Sequence, residues 1–273
     1  MKKIVFVILS FVCILLTAAE PLRVVSLSPA VTEIVCALGG RGNLVARSNA
    51  CDYPENVKTL PVAGKLGEPN IEVISKLRAD VVISDIAVPG ADWNTLRKMG
   101  VKVILLKAEK ISMYRRNVSV IGKVLGRTAE AETECNRFYS EMTRLKKQSS
   151  SAGAPKALVL LGINPLVSCN NSSFIGEMLD IAGVSNIAGN VSRTYFVLSP
   201  EFVVEKNPDV VILTGMSGDF RRAVEEMRVW RKLGFIKNRA IIDTVPNELF
   251  CRLSPRTPLA IELLMSECRK YCK

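Results

Sequence analysis

The sequence predicts an α/β fold of two similar parallel-sheet lobes, which are joined by one long helix and enclose a ligand cleft between them. The first observation is a repeat: residues 70–83 and 199–212 share one pattern, offset by 129 residues (70 to 199). The second is that helix and strand patterns alternate on both sides of the repeat, which is typical of parallel sheets with helical crossovers. The third is a long stretch, 112–148, that has helical but no strand periodicity.

In each copy of the repeat a helix-capping residue, Asn70 or Ser199, precedes a glutamate by two positions, and an aspartate follows eight positions after the glutamate. A cap, an acid in the first turn and an apolar stripe predict a short helix. The apolar run after the aspartate predicts a strand buried on both faces. Each lobe therefore carries an equivalent acidic helix tip, at Glu72 and at Glu201.

The first lobe begins with a predicted strand at 22–27. Ser28 caps the next helix, and Pro29 stands at its first position, where the missing N–H of proline costs nothing. This helix is expected to end at Gly39-Gly40, since glycine readily terminates helices. The remaining elements are a strand near 43–46, the repeat helix and strand over 71–84, a helix near 92–99 and a strand at 101–106.

The helical segment that follows is divided at Gly122 and Gly126. A second helix is predicted over 128–148, because apolar residues recur there at helical spacing while the other faces are charged. The apolar stripe consists of Ala131, Cys135, Phe138, Met142 and Leu145. A serine-rich stretch at 149–153 ends this helix, so we interpret it as the connector between the lobes.

The second lobe repeats the alternation of the first. Its predicted elements are strand 157–161, loop 162–165, helix 173–182, repeat helix 200–206, strand 209–214, a charged helix 219–230, strand 239–244 and helix 257–270. The predicted boundaries are 20–126 for the first lobe, 127–150 for the connecting helix and 151–273 for the second lobe.

Residues 1–19 have the pattern of a signal peptide. Lys2 and Lys3 precede an apolar run, 4–16, that is too short to span a bilayer, and small residues follow it. We therefore expect export to a periplasmic or other extracytoplasmic space, with cleavage near Ala19.

Composition removes several classes of function. The chain contains no histidine, which excludes Ser-His-Asp and Cys-His catalysis, His-ligated zinc and His-ligated heme. The formal charge of +11 is interpreted first as a soluble surface with excess lysine, and attraction to anionic surfaces or acidic ligands is the alternative. No basic run is interleaved with aromatic residues, so no nucleic acid partner is expected. The cysteines are interpreted as structural thiols, although Cys268 and Cys272 have the spacing of a metal-ligand pair. No metal site and no cofactor are predicted.

Several motifs together resemble the helical-backbone class of ABC-importer substrate-binding proteins, which includes the cobalamin-binding and ferric-siderophore-binding proteins. The matching segments are RVVSLSPAVTEIVCALG (23–39), CDYPENV (51–57), NIEVISKLRADVVIS (70–84), LGINP (161–165), SPEFVVEKNPDVVILTG (199–215) and LSPRTPLAIELL (253–264). The likeness to the cobalamin binder is carried mainly by LGINP and by the SPR near the C-terminus. The resemblance implies lobes joined by a single helix, small closure on binding, and a binding protein rather than an enzyme.

The resemblance also implies a role for the repeated glutamates. In this class one acidic residue on each lobe docks onto basic residues of a permease dimer in the inner membrane, and Glu72 and Glu201 occupy those motif positions. The alternative is that each glutamate only favours its helix through the helix dipole. The implied partners are an ABC permease dimer and a small-molecule ligand, and the protein itself is expected to be a monomer.

The ligand site is expected in the cleft at the carboxyl ends of the strands. The positions that match the aromatic-lined cleft of the cobalamin binder are Ala50, Leu66, Asp85 and Val167. Tyr195 retains an aromatic ring there, Arg252 retains a basic group, and Glu248 belongs to the same cleft loop as Arg252. We expect Tyr195 to stack on a flat or macrocyclic ligand, and Arg252 to bind a polar edge or an anionic group.

The main prediction is an extracytoplasmic binding protein that delivers a cobalamin-like corrinoid or an iron chelate to an ABC permease. A heme binder of the same class, with Tyr195 or Tyr53 as iron ligand, is the alternative within the family. An exported enzyme would need carboxylates such as Asp85, Asp92 or Glu248, and no nucleophile motif surrounds them. A structural or adhesive surface protein would give no reason for the repeated acidic tips.

Overall fold

The computed structural model describes residues 20–149, 153–214 and 218–271. The predicted signal peptide, the junction at 150–152 and the last two residues, which include Cys272, lie outside the described residues. Within the described part of the chain, no helix combines the length and the apolar character needed to cross a bilayer.

The first lobe alternates short strands with helices, as the sequence predicts. Its elements are β1 (Val24–Ser26), α1 (Pro29–Ala37), β2 (Leu44–Arg47), β3 (Gly64–Lys65), β4 (Glu68–Pro69), α2 (Ile71–Lys76), β5 (Val81–Ser84), α3 (Trp93–Lys98), β6 (Lys102–Leu105) and α4 (Met113–Leu125). The connector follows as one unbroken helix, α5 (Thr128–Gln148), which confirms the predicted continuous helix over 128–148.

The second lobe contains more elements than the first. They are β7 (Lys156–Leu160), β8 (Gly162–Ile163), β9 (Leu166–Cys169), α6 (Phe174–Ile181), β10 (Ser185–Asn186), β11 (Tyr195–Val197), α7 (Pro200–Lys206), β12 (Val210–Leu213), α8 (Gly218–Glu226), α9 (Gly234–Lys237), β13 (Ile241–Ile242), α10 (Asn247–Phe250) and α11 (Thr257–Cys268). The charged helix predicted over 219–230 is shorter, because α8 ends at Glu226 and a separate 3-10 turn spans Arg228–Trp230. The buried indole of Trp230 donates to the carbonyl of Pro200, 3.0 Å away, and so holds this turn against α7.

The main sheets of the two lobes have the same topology. All strands of each sheet are parallel, in the spatial order β2-β1-β5-β6 in the first lobe and β10-β7-β12-β13 in the second. If the four strands of each sheet are numbered by their order along the chain, both sheets have the spatial order 2-1-3-4. The repeat found in the sequence therefore corresponds to one structural unit used twice, with the repeat strand third in each sheet and next to the first.

The repeated aspartate has a structural role that the sequence pattern alone did not assign. In the first lobe Asp80 Oδ2 accepts the backbone N–H of Arg23 at 2.8 Å, and the backbone N–H of Asp80 donates to the carbonyl of Arg23 at 2.9 Å. In the second lobe Asp209 makes the same two bonds with Lys156, at 2.9 and 2.7 Å. Each aspartate thus fixes the start of the third strand beside the start of the first.

The connector joins the cores of the two lobes. One face of the first sheet shares a continuous apolar core with α5 and the second lobe, whereas the other face packs on α2 and α3 in a smaller core of its own. All five residues of the predicted stripe are buried, together with Glu134. Close approach of α4 is possible because Gly122 has no side chain: a Cβ there would lie 2.5 Å from the Cβ of Ala131. The predicted apolar stripe is therefore confirmed.

Glu134 is the polar member of this buried face, and its carboxylate is fully partnered. It accepts a 2.6 Å hydrogen bond from the hydroxyl of Tyr114 and pairs with the guanidinium of Arg137 at 2.7 and 2.8 Å. Arg137 also donates to the carbonyl of Pro255 at 2.8 Å. The connector is therefore attached by hydrogen bonds to α4 on one side and to the loop before α11 on the other.

A three-stranded antiparallel ribbon, in the order β11-β9-β8, was not predicted. Its strands have only two to four residues, which is too short for a clear alternating pattern. Its main pairing joins Tyr195 to Cys169, which are far apart in the chain. A local pattern cannot reveal such a pairing, although the ribbon decides where Tyr195 lies.

Candidate functional site

The ribbon places Tyr195 at the edge of a cavity on the second lobe. This cavity has a volume of about 320 Å³ and is lined by Leu161, Phe174, Ile175, Tyr195, Thr214, Asn247 and Cys251. Thr214 directly follows β12 and Asn247 begins α10, so the cavity lies at the carboxyl end of a sheet strand, where ligands of α/β proteins bind. Tyr195 lines this cavity and is 43% exposed, so its ring is accessible from solvent.

The chemistry of this cavity is mainly apolar with a few neutral polar groups. Burial, with the nearby thiols of Cys169 and Cys251 and the carboxylate of Glu109, raises the pKa of Tyr195 to about 12. Burial likewise raises the pKa of Cys251 to about 11. At neutral pH the cavity therefore presents an uncharged phenol and an uncharged thiol. Since Glu109 belongs to the first lobe, Tyr195 lies within electrostatic range of that lobe.

The first lobe contributes an exposed aliphatic patch around the β3–β4 turn. Leu66 is at this turn, and Ile86 and Val88 follow β5; all three side chains are exposed. They are held together because the N–H of Val88 donates to the carbonyl of Gly67 at 3.2 Å, and a Cβ on Gly67 would contact Ile86. Sequence reasoning selected Leu66 but missed the other two, although aliphatic residues directly after a strand were a signal for them.

Asp85 lies between β5 and this aliphatic patch. Its Oδ1 atom is buried and has no hydrogen-bond partner among the described residues. Burial raises the pKa of Asp85, and a hydrogen bond with Ser28 opposes the shift. The carboxyl group is thus less readily ionised than a surface carboxylate, and one of its oxygens is available to a donor.

The other predicted cleft residues lie on separate elements. Ala50 is half-buried in the loop after β2, Val167 is half-buried on β9 opposite Val197, and Glu248 is exposed on α10. Asp92, considered as a catalytic carboxylate, caps α3 by accepting from the backbone N–H of Thr95 at 3.0 Å and from its hydroxyl at 2.6 Å.

Arg252 lies in a network of charges that connects the lobes. Its guanidinium forms a bidentate pair with Asp52, at 2.6 and 3.0 Å, and reaches Glu33 at 3.2 Å. Arg256 pairs with both oxygens of Glu33, at 2.7 and 2.9 Å, and lies 3.8 Å from the centre of the Tyr53 ring. We call Glu33, Asp52, Arg252 and Arg256 the interlobe cluster. Sequence reasoning placed Arg252 at the ligand and did not select Glu33 or Asp52.

The two repeated glutamates occupy matching positions at exposed helix tips. Glu72 is in the first turn of α2, where the side chain of Asn70 accepts from the N–H of Val73 at 3.1 Å. Glu201 is in the first turn of α7, where Ser199 accepts from the N–H of Phe202 at 3.2 Å. Both glutamates are exposed, and neither forms an ion pair within the described part of the chain.

Comparison with known proteins agrees with this architecture. The sequence profile of the family described as "Periplasmic binding protein" matches residues 24–248. The chain belongs to the periplasmic binding protein family. Among individual relatives of this family, the vitamin B12-binding protein of Photorhabdus laumondii is 24% identical over 250 residues, which cover 91% of this chain and 88% of that protein.

Solved structures of periplasmic binding proteins show the same fold. The apo form of the periplasmic heme-binding protein RhuT from Roseiflexus sp. RS-1 aligns with a TM-score of 0.80 and 22% identity, over 92% of this chain and 99% of that one. The periplasmic vitamin B12-binding protein BtuF of Vibrio cholerae aligns with a TM-score of 0.75 and 23% identity, over 91% and 97%. The predicted two-lobed fold class and the predicted family are thereby confirmed.

Proposed function

We propose that this protein is an extracytoplasmic solute-binding protein that delivers a cobalamin-like corrinoid or an iron chelate to an ABC permease. The observation that carries the proposal is that each lobe presents an exposed apolar group where a sheet strand ends: a tyrosine beside the cavity that follows β12 on one lobe, and the aliphatic patch that follows β5 on the other. Flat macrocycles bury large apolar areas and suit walls of this kind. Relatives with the same fold are described as binding vitamin B12 or heme.

The ligand would be cargo, and no resident cofactor or catalytic role is proposed. Tyr195 supplies the aromatic wall, and the first lobe supplies the aliphatic wall. Further contacts are proposed from Ala50, Leu66, Asp85, Val167 and Glu248. Arg252 is not proposed as a direct ligand contact, because its guanidinium is already paired with Asp52 and Glu33.

Heme is the second candidate ligand, and one observation favours Tyr195 over Tyr53 as its iron ligand. Tyr195 lines the cavity at the carboxyl end of β12, whereas Tyr53 lies beside the interlobe cluster, with the guanidinium of Arg256 over one face of its ring. Tyrosinate is one of the protein ligands that hold heme iron. Because the iron ligand is the deprotonated tyrosinate, heme iron would have to displace the phenol proton of Tyr195, whose pKa is raised by burial.

The export route and the partner belong to the same proposal. The protein would be secreted by a signal peptide cleaved near Ala19 and would act as a monomer. Glu72 and Glu201 would each contact basic residues of one half of a permease dimer. The family relationship supports a transport partner, and the matched exposed positions of the two glutamates support their pairing with a two-fold symmetric surface.

Binding measurements on the full mature protein test the proposed function. Isothermal titration calorimetry with cyanocobalamin, cobinamide, hemin and ferric siderophores is expected to give saturable one-site binding for one of these classes. Visible spectra after incubation with hemin would separate the heme alternative. Absence of binding to every compound would contradict the proposal.

Replacement of Tyr195 by alanine is expected to weaken binding of the best of these ligands by about ten- to a hundredfold, because an aromatic ring buried by a ligand contributes roughly 1–3 kcal/mol. Y195F separates the two ligand classes: it keeps stacking on a corrinoid but removes the oxygen that would coordinate heme iron. Y53F is the matched control and should leave affinity unchanged. Unchanged affinity in Y195A would remove Tyr195 from the site.

A further inference from the structure

The interlobe cluster joins one buried carboxylate, Glu33, to two largely buried arginines and to the partly exposed Asp52. It brings two carboxylates of the first lobe against two guanidinium groups of the second, so its formal charges cancel. The side chain of Glu33 is only 1% exposed and receives three of the contacts, from both arginines. A buried carboxylate is tolerated only when it is paired and hydrogen-bonded, so Glu33 requires both lobes to be in place.

Both ends of the cluster continue into the loops that frame the cleft. Arg252 directly follows Cys251, which lines the cavity beside Tyr195. Asp52 directly follows Cys51, whose sulfur lies 3.1 Å from the hydroxyls of both Ser48 and Thr32 in the buried end of the first lobe. A shift of either loop would therefore change the Arg252–Asp52 contact.

The connecting helix α5 also contacts the loop 252–256. Arg137 of α5 donates to the carbonyl of Pro255, which directly precedes Arg256. The loop 252–256 is thus held by carboxylates of the first lobe and by the connecting helix at once. If α5 alone joined the lobes, one lobe could rotate relative to the other about the axis of that helix. The contacts of the loop 252–256 oppose this rotation.

We propose that Arg252 and Arg256 are positioning residues that clamp the second lobe to the first at one end of the cleft and so preset the width of the ligand site. Arg252 acts on the ligand through Asp52 and not by touching it. Preorganisation of this kind favours binding, because the lobes need not be ordered when the ligand arrives. The effect on ligand affinity rests on the proposed function, whereas the effect on lobe attachment does not.

The clamp is tested first without any ligand, by hydrogen–deuterium exchange on the full mature protein. In D52A and in R252A, amides in the loops 48–53 and 251–256 should exchange at least about tenfold faster than in the parent. E262A is the matched control, because it removes an exposed ion pair of α11 with Arg144 on α5, at 3.4 Å, that does not bridge the lobes. The control should leave exchange in both loops unchanged. Unchanged exchange in D52A and R252A would overturn the clamp.

Ligand affinity then distinguishes positioning from direct contact. With cyanocobalamin or hemin, whichever binds, D52A and R252A should each weaken binding by about tenfold, since a fraction of molecules would leave the binding-competent arrangement. The double variant D52A/R252A should bind no more weakly than R252A alone, because R252A already removes the contact that D52A removes, together with the contact to Glu33. If Arg252 touched the ligand, D52A would free it and leave affinity equal or higher, and that result would overturn the positioning role. If neither compound binds, the proposed function fails while the exchange experiment still decides the clamp.

Discussion

Reversing the charge of both repeated glutamates, in E72K/E201K, is expected to abolish permease-coupled uptake while ligand affinity stays within about twofold of the parent. Both side chains are exposed at capped helix tips, and neither lines the cavity beside Tyr195. Lysine at these positions would face the basic residues proposed on the permease, and like charges brought together at an interface cost several kcal/mol. The helices themselves should persist, since their caps are Asn70 and Ser199.

The experiment combines transport with binding. Uptake of the identified ligand is measured in proteoliposomes with the permease, and affinity is measured by calorimetry on the same preparations. E55K/E262K is the control, because it makes the same change of formal charge at two other exposed carboxylates. Uptake at the parental rate in E72K/E201K would remove both residues from docking. Loss of ligand binding in that variant would place them in or near the ligand site instead.

Replacing Phe138 by alanine is expected to lower the free energy of unfolding by about 3–5 kcal/mol, which is the usual cost of removing a buried phenylalanine ring. The ring is fully buried in the middle of the connector and stacks on Tyr114 of α4, with ring centres 3.8 Å apart. Its loss would leave a cavity where the first lobe, the connector and the second lobe share one core. The hydroxyl of Tyr114, which donates to Glu134, limits how far that neighbour can move to fill the space.

Chemical denaturation followed by circular dichroism measures this effect. N136A is the matched control, because Asn136 is an exposed residue of the same helix, and such a surface substitution should change stability by less than about 0.5 kcal/mol. A loss of less than about 1 kcal/mol in F138A would show that the connector is not part of the shared core. Unfolding of the two lobes at separate denaturant concentrations in F138A would show that Phe138 couples them.

The elements that the sequence predicted well are those encoded by neighbouring residues. The start of α2 follows from Asn70 and Glu72, and the connector follows from an apolar stripe that recurs at helical spacing. The repeat at a fixed offset predicted two similar lobes, and the matching strand orders of the two sheets bear this out. Caps and periodic stripes act within a few turns of chain, so they can be recognised without knowing the tertiary structure.

The ligand site was predicted less completely. The pairing of β11 with β9, which positions Tyr195, joins segments that no local pattern links. Ile86 and Val88 follow a strand in the sequence, but only the folded chain shows that the turn at Gly67 holds both of them beside Leu66. The sequence indicated which loops approach the cleft, but the folded chain decided which of their side chains remain exposed.

By itself the sequence determined the two lobes, the single connecting helix and the acidic tip of each lobe, because each depends on hydrogen bonds and apolar contacts between residues close in the chain. Only the tertiary structure decided the environment of Arg252, whose partners Asp52 and Glu33 are 200 and 219 residues away. A lone arginine near a predicted cleft is compatible with a ligand contact or an ion pair. Taking its charge out of water is costly unless a carboxylate is within hydrogen-bond distance, and only folding brings the carboxylates of the first lobe to Arg252.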